Sequence, residues 1–298
     1  MRKLLRWVGI VFGSVLLLIA VLASAAFLIT RSKLARTVQL DVDVPVVQAT
    51  DESIARGQHI AEGISSCAVC HGGDFGGQMV IDEPIFARIG APNLTTGQGG
   101  LQNYTDADWD RAIRHGIGGD GRRLVIMPSL HFQRMGDTDL AALVAFLHTV
   151  PPVAREMPRI RPGPIATVLL ALGQLPFFAD EIDHANAGKH AVTPAPSAEY
   201  GEYLADIAAC EGCHGDNFVG RPAAPNGPPG GPNLTPSGNP GGWSLEQFRT
   251  VLRTGQTPEG RALQVQHMPW PQYARMTDME IDALWLHLKS LPRSTSSE

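Results

Sequence analysis

Two copies of the pentapeptide Cys-x-x-Cys-His constrain this chain more than any other feature of its sequence. The first copy covers residues 67–71 and the second covers residues 210–214. Together they contain all four cysteines of the 298-residue chain. Each copy places two thiols and an imidazole on one short turn, so the fold has to present the same three groups twice.

This spacing is the attachment signature of a c-type haem. In each copy, two thiols would form thioethers with the porphyrin vinyl groups, and the histidine that follows would coordinate the iron from the same turn. The predicted thioether residues are Cys67, Cys70, Cys210 and Cys213, and the predicted proximal iron ligands are His71 and His214. The sequence therefore predicts two covalently bound haem c groups.

Other uses of paired cysteines fit this sequence less well. The two cysteine pairs of a zinc ribbon lie about 15–20 residues apart, whereas these pairs begin at positions 67 and 210. A thioredoxin-type redox pair needs a βαβ context, and no strand-rich pattern surrounds either motif. A disulfide between distant cysteines would not explain why a histidine follows each pair. Zinc or dithiol chemistry stays as the minor alternative.

The residues that follow the two motifs recur in the same order, which indicates an internal duplication. The shared segments are Gly-x-Pro-Asn-Leu-Thr at 90–95 and 230–235, Met-Pro at 127–128 and 268–269, and a closing apolar-periodic stretch before Pro151 and Pro292. Between these segments, capping residues and helical spacing predict a helix from Thr105 to Gly116 and another from Ser244 to Gly255. Because no segment alternates apolar and polar residues for long, we expect nearly all helix and loop.

This repeat divides the chain into four parts. They are an N-terminal membrane anchor or signal peptide (1–36), a first haem domain (45–152), a proline-rich linker with a short apolar helix (153–197) and a second haem domain (198–293). The apolar stretch of the linker, residues 165–175, is too short to cross a bilayer. We favour a helix packed between the two haem domains; a helix lying on the membrane or on a partner subunit is the alternative.

The N-terminus carries an apolar segment with no charged residue from Trp7 to Ile29. It exceeds the about 20 residues that span a bilayer, so we expect a retained transmembrane helix. Cleavage at the small residues 23–25 would instead make it a signal peptide. The flanking cations are Arg2, Lys3 and Arg6 before the segment, and Arg31, Lys33 and Arg36 after it. This balance gives no orientation by the positive-inside rule. Because haem c is attached after export, we expect the haem domains on the periplasmic side of a bacterial inner membrane.

The sixth iron ligand decides whether a haem only transfers electrons or also supports chemistry. Met127 and Met268 occupy the same register in the two repeats, and each precedes a proline that keeps the chain extended. We predict that their sulfur atoms are the axial ligands. Met135 and Met276 also match in register, but each directly precedes a predicted helix, where methionine usually packs in the core.

Histidines are the competing axial ligands. His115, His131 and His267 lie in the ligand-bearing parts of the two repeats, but none has a histidine at the equivalent position of the other repeat. We expect them to be solvated rather than to bind iron. Five further histidines carry no pattern that assigns them a role: His59, His148, His184, His190 and His287.

The order Cys-x-x-Cys-His, Gly-x-Pro-Asn-Leu, Met-Pro and a closing amphipathic helix resembles class I cytochrome c. The resemblance covers residues 56–292 apart from the linker. It is closest to the membrane-bound cytochrome c subunits of bacterial periplasmic alcohol and sugar-acid dehydrogenases, which often carry three haems where this chain has two motifs. It implies an all-α fold with two tandem class I cytochrome c domains after a single N-terminal transmembrane helix.

The resemblance also implies roles for the Pro-Asn-Leu segments. In class I cytochromes c, the proline carbonyl accepts a hydrogen bond from the proximal histidine and so orients the iron ligand. By this resemblance, Pro92 would orient His71 and Pro232 would orient His214. The leucines that follow, Leu94 and Leu234, would pack on the porphyrin.

These features predict a membrane-anchored dihaem electron carrier that is not an enzyme. It would pass electrons from a periplasmic dehydrogenase or a quinol-linked donor to a soluble cytochrome or a terminal oxidase. One alternative is a dihaem redox enzyme, a peroxidase or a thiosulfate dehydrogenase, which would need an open or replaceable sixth ligand. The other is a fixed dihaem subunit of an oxidase or dehydrogenase complex. The formal net charge of −5 gives no reason to expect a nucleic-acid partner.

Overall fold

The computed structural model describes residues 2–42, 44, 49–190, 192–222 and 230–294. Within these ranges the chain is mainly helical, with three short strands. The expected all-α architecture is confirmed. The predicted start of the first domain at residue 45 lies outside the described residues.

The first helix, α1, runs without a break from Arg2 to Ala35. Its most apolar 18-residue window has none of its residues buried against the rest of the protein. At about 1.5 Å per residue, the uncharged stretch from Trp7 to Ile29 is longer than the about 30 Å hydrocarbon core of a bilayer. By length and composition this helix can cross a membrane, and a signal sequence at the N-terminus has the same properties.

The first repeat forms a helical domain around the crossing of its first and last helices. Its helices are α2 (Asp51–His59), α3 (Cys67–His71), α4 (Asp106–His115), α5 (Ser129–Phe132) and α6 (Asp137–Thr149), and Ile60–Ile64 add a π-helical turn after α2. Gly57 lies where α2 crosses α6: a β-carbon there would lie 1.9 Å from the carbonyl oxygen of Ala142. Only a residue without a side chain lets the two helices approach so closely.

The segment between α3 and α4 contains a hairpin that the sequence did not predict. Strand β1 (Gln78–Glu83) pairs antiparallel with β2 (Ala87–Ala91), and β3 (Arg161–Pro162) of the linker pairs with β2. The expectation of nearly all helix and loop is met outside this small sheet. These strands are too short to show a lasting alternation, and β1 ends in the charged pair Asp82 and Glu83.

The linker helix α7 (Pro164–Ala171) packs against α1 and the sheet. The hydroxyl of Thr30 donates to the carbonyl oxygen of Thr167 at 2.7 Å, and Nζ of Lys33 donates to that of Leu170 at 2.8 Å. Ala166 packs with residues of β2. The favoured placement of this helix between the two predicted haem domains is therefore wrong, because its buried residues face α1 and β2 instead.

The second repeat has the same frame. Its helices are α8 (Ala198–Ile207), α9 (Glu211–His214), α10 (Leu245–Thr254), α11 (Trp270–Tyr273) and α12 (Asp278–Ser290). Gly201 lies at the crossing of α8 and α12, where a β-carbon would lie 1.9 Å from the carbonyl oxygen of Ala283. The predicted capping boxes are formed at Thr105 and Ser244, and Gly116 and Gly255 end α4 and α10 in the left-handed conformation.

The two domains pack together with approximate two-fold symmetry and share one apolar core. Nε2 of His59 and Oε2 of Glu280 lie 2.7 Å apart. At the equivalent positions of the other half, the hydroxyl of Tyr203 donates to Asp139 at 2.8 Å. Likewise α5 contacts α8, and α11 contacts the π-helical turn. Equivalent surfaces thus contact one another reciprocally, as in an isologous dimer.

Candidate haem sites

Each Cys-x-x-Cys-His segment forms one helical turn: α3 contains the first, and the second consists of α9 and Cys210, which caps it. The residues that precede the first cysteines, Ser66 and Ala209, have left-handed backbone with φ of 52° and 54°. Gly72 and Gly215 follow the histidines with φ of 82° and 74°. A non-glycine residue in the left-handed region costs about 1–2 kcal/mol. That both halves keep this strained turn indicates that the position of the motif matters.

Both motif histidines are buried and held by the Pro-Asn-Leu segment. Nδ1 of His71 donates to the carbonyl oxygen of Pro92 at 2.9 Å, and Nδ1 of His214 donates to that of Pro232 at 2.8 Å. Burial lowers the pKa of both imidazoles, and the proline carbonyls counteract this only in part. The imidazoles are therefore neutral, with Nδ1 protonated and the Nε2 lone pair available to a metal.

The loops that supply these carbonyls have the same internal hydrogen bonds in both halves. Oδ1 of Asn93 accepts from the backbone N–H of Thr95 at 2.9 Å, and Asn233 accepts from Thr235 at 2.8 Å. The amide Nδ2 of each asparagine donates to a carbonyl oxygen just beyond the closing helix: Asn93 to Val153 at 2.7 Å and Asn233 to Ser294 at 2.9 Å. Each proline-containing loop is thus held by the chain that follows the closing helix of its own half.

The four cysteines form no disulfide with one another. Burial raises the pKa of Cys67 to about 12 and that of Cys210 to about 12. Burial also raises the pKa of Cys70 and Cys213. These thiols are therefore protonated before they react.

A cavity of about 440 Å³ lies beside α9 in the second half. Its volume is within the range of about 300–1,000 Å³ that is typical of ligand pockets. Cys210, Cys213, His214 and Met268 line it. The apolar wall includes Phe218, Leu234, Phe248, Leu252 and Leu284. Two thiols, an imidazole with a free Nε2, a thioether and an apolar wall are a set of groups that fits a haem.

In the first half, the corresponding residues border the common core. Leu94 is buried in it, and Cys67 and Met127 pack against it. The backbone N–H of Leu94 donates to the carbonyl oxygen of Phe75 at 2.8 Å, as Leu234 does to Phe218 at 2.8 Å. The predicted haem-contacting residues of the first half thus lie at the shared apolar core. Residues of the same core also line the cavity of the second half.

The predicted axial methionines lie at equivalent places. Met127 and Met268 are partly buried and stand immediately before the prolines that begin α5 and α11. Met135 and Met276 are fully buried in the core, as expected of packing residues.

Two histidines that we expected to be solvated are not. His115 is buried, and its Nδ1 lies 2.9 Å from Nδ1 of His184 in the linker. His131 of α5 reaches the second motif: a β-carbon at Gly212 would lie 3.4 Å from its Nε2. The expectation of solvation is wrong for both, because tertiary contacts from distant parts of the chain cover them. His267, by contrast, is exposed and borders the same cavity as Met268.

Sequence reasoning missed the residues that join the two sites. Tyr273 of the second domain is partly buried, donates its hydroxyl to Ala208 at 3.0 Å and lies next to Ser66, the residue before the first motif. Burial raises the pKa of Tyr273. Together with the contact of His131 on Gly212, this places both attachment segments at the domain interface. The matching positions of Phe132 and Tyr273 in the repeat were visible in the sequence, but nothing there indicated contact between domains.

Comparison with known proteins gives a family and several relatives. The cytochrome c family model matches residues 54–151 and 198–292. The fructose dehydrogenase cytochrome subunit of Gluconobacter japonicus is 31% identical over 270 residues, covering 82% of this chain and 54% of the relative. The alcohol dehydrogenase (quinone) cytochrome c subunit of Gluconacetobacter polyoxogenes is 29% identical, covering 91% and 60%. The gluconate 2-dehydrogenase cytochrome c subunit of Pantoea cypripedii is 27% identical, covering 84% and 62%. The chain therefore spans less than two thirds of the length of these relatives.

Proposed function

This chain belongs to the cytochrome c family, and on that premise we propose that it is a membrane-anchored dihaem electron carrier. As a member of the family it carries covalently bound haem c and transfers electrons. The number of haems, their ligands, the partners and the membrane anchor are the parts that we propose. The observation that supports them best is the duplicated site, with the same buried histidine–proline hydrogen bond in each half.

We propose one haem at each motif. His71 and His214 would bind iron through Nε2, and the carbonyls of Pro92 and Pro232 keep each ring in that orientation. Bound haem supplies an iron that changes oxidation state by one electron. Thioether bonds to the four cysteines would hold each porphyrin edge against α3 or α9.

The methionines decide between carrier and enzyme. Sulfur ligation by Met127 and Met268 would close both sixth positions and raise the reduction potential. A peroxidase or thiosulfate dehydrogenase would need one open site, and the equivalent places of the two methionines argue against it. Exposed His267 is the one competing ligand that borders the cavity of the second site.

We propose that electrons pass between the two haems across the domain interface. The support is that each attachment segment touches the opposite domain: His131 lies against Gly212, and Tyr273 lies beside Ser66. Groups in such contact are held by the shared core, so the spacing between the haems would be constant. The reaction would then need no motion of one domain relative to the other.

We propose a periplasmic dehydrogenase as the electron donor. The relatives are named as cytochrome subunits of fructose, alcohol and gluconate dehydrogenases. A soluble cytochrome or a terminal oxidase would accept the electrons. Helix α1 would anchor the chain in the bacterial inner membrane, with its N-terminus in the cytoplasm and both haem domains in the periplasm.

The test of the carrier is spectroscopic. Haem is quantified per chain in the purified full-length protein, and electron paramagnetic resonance and near-infrared spectra are recorded in the oxidised state. We expect two haems per chain, both low-spin with histidine–methionine ligation. One haem per chain would refute the dihaem assignment, and a high-spin or bis-histidine component would refute closure of both sites by methionine.

The test of the partner is purification in mild detergent from the native source. A permanent dehydrogenase subunit should elute with this chain at a constant ratio of dehydrogenase to haem. If the chain elutes alone and is still reduced by added dehydrogenase with its substrate, it is a free carrier instead. Failure of every dehydrogenase fraction to reduce it would refute the proposed donor.

A further inference from the structure

We propose that a cleft at the end of α1 binds the phosphodiester headgroup of an anionic phospholipid. This inference rests on the proposed membrane anchoring of α1. The cleft has a volume of about 760 Å³ and lies between the last turn of α1 and the segment after α7. Its lining includes Lys33, Arg36, Arg123, Phe177 and Asp180.

The depth of the cleft fits a headgroup. Lys33 lies four residues beyond Ile29, the last residue of the uncharged stretch, which corresponds to about 6 Å along the helix. The polar layer on each side of the hydrocarbon core is about 5–8 Å thick. If α1 spans the bilayer, the cleft opens within the layer that contains the lipid phosphates.

The charges in the cleft favour an anion. Nζ of Lys33 donates to the carbonyl oxygens of Leu170 and Ala171, and Arg123 pairs with Asp180 at 2.5 Å. Among the described residues, Arg36 has no ion-pair or hydrogen-bond partner. Its guanidinium can therefore bind a phosphate with two parallel hydrogen bonds. Three cations against one carboxylate leave the cleft with a positive balance.

Arg123 makes the basic wall of the cleft rigid. Its guanidinium carbon lies 4.0 Å from the centre of the Phe177 ring, and its side chain is only 6% exposed. It also donates to the carbonyl oxygen of Lys33 at 2.8 Å. The Nε atom of Arg123 is buried without a hydrogen-bond partner, so the group retains a donor that the protein does not use.

The surface next to the cleft is apolar, as the rest of a lipid requires. Helix α7 exposes Ile165 and Val168, and Leu172 just after it extends the same row. Ile85, at the tip of the hairpin, is also exposed and accepts a backbone hydrogen bond from Ile165 at 3.1 Å. Such a patch beside an exposed apolar helix fits the boundary between headgroups and acyl chains.

The cleft also explains an oddity of the sequence. Cations on the exported side of a transmembrane helix run against the positive-inside rule. Here Lys33 holds the C-terminal carbonyls of α7, and Arg36 lines the cleft. Arg31 is exposed and lies outside the cleft lining, so it provides a matched control on the same helix.

The experiment uses the full-length haem-loaded protein in detergent and native mass spectrometry. Dioleoylphosphatidylglycerol is titrated in, with the phosphatidylcholine of the same chains as the neutral comparison. We expect one phosphatidylglycerol bound in preference to phosphatidylcholine. Arg36→Gln should weaken phosphatidylglycerol binding about fivefold, the effect of losing one cation near a membrane surface. Arg31→Gln should leave it unchanged, and the haem spectrum should stay the same in both variants.

Several results would overturn the proposal. Equal weakening by Arg31→Gln and Arg36→Gln would show diffuse surface charge rather than a site. Displacement of the lipid by millimolar inorganic phosphate would make it a site for free anions, and displacement by a quinone analogue would make it a site for a neutral ligand. If the intact mass of the mature protein lacked residues 1–25, α1 would be a cleaved signal peptide, and the cleft would not lie at a membrane surface. The carrier function would fail separately, in the haem spectra.

Discussion

In the first domain, the turn that ends α4 at Gly116 is covered by Ser129 and by Ala179 of the linker: a β-carbon on Gly116 would lie 3.4 Å from both. In the second domain, the turn that ends α10 at Gly255 is covered by Trp270 of the same domain, whose ring atoms would lie 2.4 Å from such a carbon. In the first domain, the linker thus helps to pack over the turn that ends α4. In the second domain, a residue of the domain itself packs over the turn that ends α10.

The same difference appears at the last residue of each helix. His115 ends α4 and forms a hydrogen bond with His184 of the linker at 2.9 Å, while the hydroxyl of Thr254, which ends α10, bonds to Thr250 and Gln256 of its own domain. Nε2 of His184 donates to Ala179 at 3.0 Å. The linker therefore adds a titratable hydrogen bond at the end of α4 in the first domain.

The largest expected effect tests whether the two iron sites are equivalent. Met127→Ala and Met268→Ala should each abolish methionine ligation at one haem and leave the other intact. The potential of the altered haem should fall by a sizeable part of the roughly 0.8 V range that axial ligands control. Near-infrared spectra and redox titration measure both changes. Unchanged spectra in either variant would show that the methionine is not the ligand.

The next effect tests the helix crossing that the two domains share. Gly57→Ala and Gly201→Ala each place a β-carbon 1.9 Å from a carbonyl oxygen of the crossing helix. Overpacking of this kind costs about 3 kcal/mol, and we expect similar losses in both variants by urea denaturation. Gly73→Ala and Gly242→Ala are the controls, because a β-carbon at either place has no atom within 4 Å. If only one of the two variants lost stability, the two helix crossings would differ in how tightly they pack.

Acid should distinguish the domains. Burial lowers the pKa of His115 to about 4, below the about 6.5 of an exposed histidine. The unfolded chain therefore binds the proton first, and stability is lost as pH falls from about 6.5 to 4, by up to about 3 kcal/mol. Urea denaturation between pH 4 and 7 should show a smaller loss in His115→Asn than in the wild type, because the other buried histidines still contribute in both. If the stability of the two proteins changed with pH in the same way, the contact between His115 and the linker would not distinguish the two domains.

The smallest effect concerns the ion pairs at the domain interface. Arg275 pairs with Glu62 at 2.7 Å, and at the equivalent positions Arg134 pairs with Asp206, which is more buried than Glu62. Partly exposed pairs contribute about 0.2–1 kcal/mol. We expect Arg134→Gln to shift the urea midpoint more than Arg275→Gln does. A larger shift from Arg275→Gln would reverse the order, and Arg88→Gln, remote from the interface, is the control.

Many of the helices and site residues could be predicted, because the sequence patterns that indicate them are local and occur in both repeats. The capping boxes at Thr105 and Ser244 need only residues three apart, and the attachment motifs need five in a row. The histidine–proline bonds, expected from resemblance to class I cytochromes c, are present in both halves.

Contacts between distant segments could not be predicted in this way. His115 and His184 carried no joint pattern, and neither did His59 and Glu280, because a repeat shows which residues are equivalent but not which residues touch. The apolar residues of α7 were visible in the sequence, yet their periodicity cannot say whether they face α1 or the haem domains. The Gly57 and Gly201 crossings were recognisable only once the helix pairs were known.

The reciprocal interface has a consequence for the direction of electron flow. Two identical chains meeting in this way would place the same charges around both irons and give them equal potentials. Duplication within one chain holds the two domains together at a high effective concentration. It also allows a residue on one side of the approximate two-fold axis to be replaced while the equivalent residue on the other side is kept. Arg56 and His59 on one side now stand where Tyr200 and Tyr203 stand on the other. If each half holds a haem as proposed, this difference in local charge would make one iron easier to reduce than the other.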